Sequence, residues 1–409
     1  MKKLKEVAPE VYQLIKDEIK RQEMTISLIP SENYVSSAVL KATASILTNK
    51  YSEGYPGKRY YPGNFIVDKI EELCKTKAKE IFGLGEDWDV NVQSYSGAPA
   101  NLEVYFGLLN PGEKILSLKL SHGGHLSHGH KVNISSHFYQ VVNYGLNEQG
   151  FLDYDEIEKI ALIEQPKLIV SGATAYPRAI NFKKFGEIAK KVGAYHLADI
   201  SHIAGLVVAG VHESPFPYSD VVMTTTHKTL RGPRSAVIYM KKELTEKINK
   251  AVFPGIQGGP HEHIIAAKAV AFEEALRPEF KTYQKQIVKN AKSLAEALIK
   301  QGFRLVSGGT DNHMVLMDLR GIIDAFEAEK LLEEANILAN RNTIPGDESP
   351  FRPSGLRLGT PAITTRGMKE QEMKTIALLI AQILKKEGKP EIIKKQVIEL
   401  CKKFPIYEN

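Results

Sequence analysis

Between residues 90 and 240 the chain alternates short apolar runs with stretches of helical periodicity or loop, and this alternation restricts the fold more than any other feature. The runs lie at 114–118, 140–144, 167–171, 193–198, 220–224 and 235–240. Apolar runs separated by helices read as strands of a mostly parallel α/β sheet covered on both faces. One intervening helix is well marked: Asp153 precedes it as an N-cap, and Glu156 follows in the capping-box position. In such sheets ligands bind outside the carboxyl ends of the strands. Asp199, Thr225 and Lys228 all fall at or just after predicted strand ends.

The flanks read differently. Val7, Val11, Leu14, Ile15 and Ile19 recur at helical spacing, with Pro9 near the start, where its missing N–H does no harm. Residues 27–64 are rich in Tyr, Gly, Pro and Asn and read as an irregular arm; a loop of that length is more often functional than filler. Helix periodicity returns over 66–82. Near 277–281 the pattern changes again. A long amphipathic helix follows, with Phe280, Ile287, Ala291, Leu294 and Leu298 on one face. Strand-like 304–306 and 313–319, a helix over 324–336, a Pro/Gly loop at 342–355 and C-terminal helices complete the chain. At 409 residues one small core is not expected. The expected division is an N-terminal helix and arm over 1–78, a large domain over 79–278 and a smaller α+β domain over 279–409.

Composition narrows the function classes. With 54 basic and 48 acidic side chains the net charge is +6, a mild excess. The densest basic run, Lys394-Lys395 and Lys402-Lys403, is interrupted by apolar residues at helical spacing; this is a solvated helix face rather than a nucleic-acid site. Cys74 and Cys401 stand alone, without a CxxC or Cys/His neighbour, which argues against a disulfide framework or zinc and suits a reducing cytoplasm. The charged start has no apolar h-region, so no secretory signal is expected. No run approaches the roughly 20 apolar residues of a membrane helix.

The chemistry concentrates in a few segments. Lys228 stands in Thr224-Thr225-Thr226-His227-Lys228-Thr229, after the run Val221-Val222-Met223 and before Gly232-Pro233. Lysines normally decorate solvated helix faces. One buried behind a strand has a lowered pKa and becomes a nucleophilic amine. It is then a candidate for a Schiff base with a carbonyl cofactor, and pyridoxal phosphate enzymes pair such a lysine with an acid at the pyridine nitrogen. Asp199, at the end of the run 193–198 and close to His202, is available as that acid. Residues 94–101 follow a strand-like 90–93 and open a helix running to 109. Small residues at a helix N-terminus suit a phosphate, and equally suit a plain cap. A second small-residue loop, 254–260, is open to the same two readings.

Four histidines occur within nine residues, at 122, 125, 128 and 130. A metal site is the tempting assignment, yet no HExxH pattern or nearby cysteine completes it. Gly123 and Gly124 suit close backbone approach to a flat ligand, on which one histidine stacks. Glu53, among Tyr51, Tyr55, Tyr60 and Tyr61, is either a proton shuttle or a solvated loop carboxylate. Arg357 lies inside an apolar run, so it needs a counter-charge: a substrate carboxylate or a structural salt bridge.

Taken together these motifs resemble the serine hydroxymethyltransferases. The resemblance runs through Ser31-Glu32-Asn33-Tyr34, 49–61, His122-Gly123-Gly124-His125-Leu126, 224–233, 253–260, 307–313 and 354–361, in that order over nearly the whole chain. The segment from Tyr51 to Tyr61, YSEGYPGKRYY, separates the family from aminotransferases that share its fold. The resemblance implies a fold-type I pyridoxal-phosphate-dependent transferase, aspartate-aminotransferase-like, with a mostly parallel central sheet, helices on both faces and a smaller α+β C-terminal domain. The implied activity is reversible transfer of the serine hydroxymethyl group to tetrahydrofolate, or to a modified pterin, giving glycine and 5,10-methylenetetrahydrofolate.

The implied roles fall on particular residues. Lys228 carries the cofactor, with Thr225 and His202 beside it in the catalytic group. Asp199 faces the pyridine nitrogen and His125 stacks on the ring. Ser96, Gly97, Ala98 and His227 hold the phosphate, joined by Gly258 and Gly259 from a second subunit. Thr174 and His202 meet the phenolic oxygen or the substrate. Arg357 and Ser31 bind the amino-acid carboxylate. Glu53, Tyr51 and Tyr61 handle proton transfer and the hydroxymethyl group across a dimer interface, for which residues 1–78 supply contacts. Leu120, Gly124, Leu126 and Asn342 hold the pterin. The implied assembly is a cytoplasmic homodimer with shared active sites, or a tetramer, with no membrane or nucleic-acid partner and no metal. Two departures stand out. Ala98 occupies a position where many relatives carry a hydroxyl, which implies weaker cofactor retention. Pro30 replaces the usual alanine, and its fixed φ stiffens the approach to Ser31. A folate-independent aldolase for threonine or another β-hydroxy amino acid is the nearest rival; an RNA-binding relic of the fold and a histidine-cluster metal enzyme are more distant ones.

Overall fold

A computed structural model describes residues 3–349 and 351–407. Among these, seven strands form the larger sheet. Their spatial order is Trp88–Asn91, Ala236–Lys241, Val221–Thr225, Tyr195–Asp199, Leu168–Ser171, Lys114–Leu118 and Gln140–Tyr144. The last five are mutually parallel, and Ala236–Lys241 runs antiparallel to both of its neighbours. The strands read as continuous apolar runs because both faces are buried. Leu116, Ile169, Ala198, Val222 and Val237 point into one core, with Phe182, Phe185 and Ile188. Their neighbours Ile115, Leu168, Leu197, Val221 and Ile238 point into the other, with Val104, Tyr105 and Ile248. The period-two alternation of a strand divides one apolar run between two cores.

Strand ends differ from the sequence expectation by a residue or two. The run starting at 193 becomes Tyr195–Asp199, because Gly193 takes a left-handed φ of +66° and closes the preceding helix, Phe182–Val192. Asp199 and Thr225 are consequently the last residues of adjacent parallel strands. The strand expected at 90–93 is Trp88–Asn91, and the helix after it is Gly97–Leu108. Asp153 caps the helix Tyr154–Glu164 as expected, accepting from the Glu156 N–H at 3.1 Å. The reciprocal half of the capping box does not form; the Glu156 carboxylate takes Lys159 instead, at 3.4 Å.

Residues 27–64 are more ordered than their composition suggests. Ser36 caps a helix, Ser37–Thr43, which packs on Glu262–Ala275, and Gly54–Tyr55 pairs with Lys58–Arg59 as a hairpin. The helix buries only Val39, so the sequence carries almost no periodicity to reveal it. Pro9 is the first residue of the helix Pro9–Glu23, as its position implies. The apolar stripe of that helix, Val11, Leu14, Ile15 and Ile19, is exposed in the single chain.

A second sheet has the order Arg304–Leu305, Met314–Asp318, Gly355–Gly359, Asn340–Asn342. Its core gathers Leu294 and Leu298 from the helix Pro278–Lys300, Val315, Met317, Leu356 and Leu358 from the strands, and Ile376 and Ile380 from Glu370–Leu384. Leu28, from the segment expected to be an arm, and Ile26 just before it are buried in this core, and Ile26–Ser27 pairs in parallel with Ile337–Leu338. The two sheets meet where 307–313 docks on 176–179. Arg178 donates to Ser307 Oγ (3.1 Å) and Asp311 Oδ1 (3.0 Å), and the Asp311 N–H to the Pro177 carbonyl (2.8 Å). This seam brings the second sheet over the carboxyl ends of the first.

Candidate active site

At those strand ends lies a cavity of about 340 Å³. Lys228 reaches it from the turn after Val221–Thr225 and is only 9% exposed. Burial lowers its amine to about 8, against a smaller upward pull from Asp199, and the Arg357 and Arg234 charges lower it further. At neutral pH an appreciable fraction is the free nucleophile. Among the described residues its Nζ has no hydrogen-bond partner; its carbonyl is held by Asn33 Nδ2 at 2.9 Å.

Asp199 lines the same cavity. Burial works against its charge, but other groups win. His128 Nε2 lies 3.0 Å from Oδ2, the Ser201 N–H donates to Oδ1 at 3.0 Å, and Lys228 is close by. Together they hold the carboxyl well below the usual range, so it stays ionised. His128 is itself fixed on its other side by the Tyr105 hydroxyl, 2.6 Å from Nδ1, and Asn101 Nδ2 adds a bond to Asp199 at 3.3 Å. Sequence reading found Asp199 and missed these supports. His128 was visible in the histidine cluster, but nothing in the sequence says that its turn meets the acid ending strand Tyr195–Asp199.

Ser96, Gly97 and Ala98 begin the helix Gly97–Leu108 at one wall of the cavity, where first-turn N–H groups have no intrahelical partner. A Cβ on Gly97 would sit 2.7 Å from Thr225 Cγ2 and fill the cradle. Two buried polar atoms of residues lining the cavity, Thr225 Oγ1 and His227 Nδ1, have no partner among the described residues. Arg234, which the sequence reading passed over, lines it too. Open amides, orphaned polar atoms and nearby cations fit a phosphate group.

Arg357 is 7% exposed. Its Nη1 donates to the Thr174 carbonyl at 2.6 Å and its Nε to Asn340 Oδ1 at 3.2 Å. Burial alone lowers it, to about 10; no acid pairs with it among the described residues. The structural salt bridge considered from sequence does not form, so the guanidinium lacks a counter-ion. Ser31 shares the cavity, and Pro30 packs under Gly359, two residues from Arg357. His125 is lowered to about 4, first by burial and then by His128, and its Nδ1 accepts from the Ser127 N–H at 3.2 Å. The imidazole is therefore neutral near pH 7. His202 is fully enclosed, pushed well below its ordinary value by burial, and stacks on His313, with Nδ1 and Nε2 3.2 Å apart.

The remaining candidates lie outside this cavity. Tyr51 donates to Glu53 Oε1 at 3.0 Å and meets Tyr61 edge to face, ring centroids 5.1 Å apart. Gly258 and Gly259 lie against the same two side chains, Glu53 and Tyr51. All five thus form one patch, where Tyr51 is 54% and Tyr61 46% exposed. Leu120 borders a separate groove with Lys119, Lys131 and His137, and Leu126 is exposed. Gly124 is pressed against strand Lys114–Leu118: a Cβ there would lie 2.0 Å from the Leu118 carbonyl oxygen. Asn342 ends its strand and donates to the Thr343 carbonyl at 2.6 Å. Three histidines of the cluster serve separate partners: His122 accepts from the Leu146 N–H, His125 meets Ser127, and His128 bridges Tyr105 and Asp199. His130 Nδ1 is buried without a partner among the described residues.

A buried amine of lowered pKa, an ionised buried acid, a neutral histidine and open amides beside cations fit pyridoxal phosphate in chemistry and placement. A family model described as serine hydroxymethyltransferase matches residues 4–380 of the 409. That span contains both sheets, the seam between them and every residue that lines the cavity. The chain belongs to the serine hydroxymethyltransferase family, whose members are pyridoxal-phosphate-dependent transferases.

Proposed function

We propose that this protein reversibly transfers the hydroxymethyl group of serine to tetrahydrofolate or a modified pterin, giving glycine and 5,10-methylenetetrahydrofolate. One observation carries the reading: the amine of Lys228, the ionised carboxylate of Asp199 and the unpaired guanidinium of Arg357 share one cavity. Lys228 would hold the cofactor's aldehyde carbon, Asp199 its ring nitrogen, and Ser96, Gly97, Ala98 and His227 its phosphate. His125 would pack on the ring, with Thr174 and His202 at its polar edge. When bound, pyridoxal phosphate supplies a conjugated ring that accepts the electron pair of the bond broken at the amino acid's α-carbon.

The chain's own groups supply the rest. Asp199, ionised, would hold the cofactor's ring nitrogen and favour its protonated form. Arg357 binds the amino-acid carboxylate with its free edge, while the Thr174 carbonyl fixes Nη1 and so the plane of the fork; Ser31 adds a hydroxyl. Lys228, with its lowered pKa, serves as nucleophile and proton carrier near neutral pH, and Thr225 lines its approach. Glu53, oriented by the Tyr51 hydroxyl, handles the proton of the serine hydroxyl, with Tyr61 alongside. These three residues, with Gly258 and Gly259, act in the cavity of a second copy of the chain. Their separation from their own cavity supports this arrangement. So do the exposed apolar side chains around them, Tyr60, Phe106 and Ile256. Leu120, Gly124, Leu126 and Asn342 are assigned to the pterin. None of the described helices is long and apolar enough to cross a membrane.

The test is serine-to-glycine conversion measured against a panel of reduced pterin carriers. Conversion should depend on a carrier, and Glu53→Gln should reduce it by about a hundredfold while leaving cofactor binding nearly intact. Equal cleavage of serine or threonine with and without any carrier would replace this reading with an aldolase.

A further inference from the structure

The backbone on either side of Glu53 is gripped from inside the protein. The Arg59 side chain is 4% exposed, and its Nη1 donates to the carbonyls of Ser52 (2.8 Å) and Gly54 (2.9 Å), the residues immediately before and after Glu53. The rest of the guanidinium is taken by two acids of the helix Phe65–Glu80: Nε donates to Asp68 Oδ1 at 2.8 Å and Nη2 to Glu71 Oε2 at 2.7 Å. The helix is anchored in the core through Val67, Cys74 and Ala78. It therefore fixes the guanidinium, and the guanidinium fixes two peptide groups. The Glu53 carbonyl itself accepts from the Tyr60 N–H at 3.1 Å. Only the carboxylate is left outside the grip, turned to Tyr51.

An ion pair made for stability alone requires the two carboxylates. The two carbonyl bonds that straddle a single acidic residue are additional to it, and they set where that residue's Cα stands. The planar fork of arginine can serve four acceptors in fixed directions; a lysine, as a point charge on a flexible stem, cannot. We propose that Arg59, held by Asp68 and Glu71, is a positioning residue for Glu53. What Glu53 then does rests on the function proposed above; the grip itself does not.

The experiment uses the full holoenzyme and the variants Arg59→Lys and Glu71→Gln, each also combined with Glu53→Gln. Amide hydrogen exchange, read by mass spectrometry, should quicken in peptides covering 51–60 and stay unchanged over 97–108. Carrier-dependent turnover should fall about tenfold or more in kcat, with the KM for serine within about twofold because Arg357 is untouched. In the Glu53→Gln background the same changes should add no further loss, since a residue that acts through Glu53 has nothing left to position. Unaltered exchange over 51–60, or losses that multiply in the double variants, would overturn the proposal. If the parent protein shows no carrier-dependent turnover, the functional reading fails and the exchange measurement alone decides the grip.

Discussion

At Lys228, burial and the Asp199 carboxylate pull the amine in opposite directions, burial the more strongly. Asp199→Asn removes the upward pull, so the midpoint moves below its present value of about 8 and the free amine persists to lower pH. Capture of a small aldehyde by the cofactor-free protein, followed against pH, should rise through about pH 8 in the parent and at lower pH in Asp199→Asn. A midpoint that stays or moves up would show that the two groups do not sense each other. Lys228→Ala should abolish capture and the absorbance of bound cofactor alike. The lysine and the acid were legible because each follows an apolar run. Their supports were not. His128 stands 71 residues from Asp199 in sequence, and no local pattern encodes the 3.0 Å that joins them. The missing counter-ion of Arg357 was posed as a question by its apolar surroundings and needed three dimensions to answer.

Among the elements, the turn from Leu120 to His128 carries His125 into the cavity and depends on two close approaches, of Gly123 to the Ala175 carbonyl and of Gly124 to the Leu118 carbonyl. Gly124 leaves no room for a side chain against the Leu118 carbonyl. Gly124→Ala must push the turn off strand Lys114–Leu118, with a loss of about 1–3 kcal/mol in stability. Cofactor should also dissociate faster as His125 shifts. Thermal melting and the cofactor off-rate check both, and unchanged values for both would mean that the turn yields freely. The strands of the larger sheet were legible because burial on two faces makes an apolar run. The helix Ser37–Thr43 was not, because it buries one residue and so leaves no periodic trace. The start of the strand expected at 193 moved because Gly193 chose the boundary, a choice made by backbone angles rather than by hydrophobicity.

For the whole molecule, the placement of Glu53, Tyr51 and Tyr61 away from the cavity yields a mixing experiment. Alone, Lys228→Ala should be inactive and Glu53→Gln should keep only about a hundredth of the parent turnover. When they are unfolded, mixed in equal amounts and refolded, half the pairs are hybrids with one intact shared site, so about a quarter of the parent turnover should return. No recovery in a mixture shown to contain hybrids would mean that each site is built from one chain. The larger sheet and the change of pattern near 278 could be read along the chain. The destination of the N-terminal segment could not. Ile26 and Leu28 join a core built mostly from residues beyond 290, through pairing with Ile337–Leu338, and no local signal announces a contact over that distance.

Arg357 grows from a strand of the smaller sheet, yet one of its nitrogens is tied to the Thr174 carbonyl on the larger side. The cavity proposed to take the reactant therefore also lies at the joint between the two halves. With Arg357 in its proposed role, warmth, dilute denaturant or a distant substitution that slackens this joint should first be felt as a weakened hold on the amino acid, well before the protein itself begins to melt.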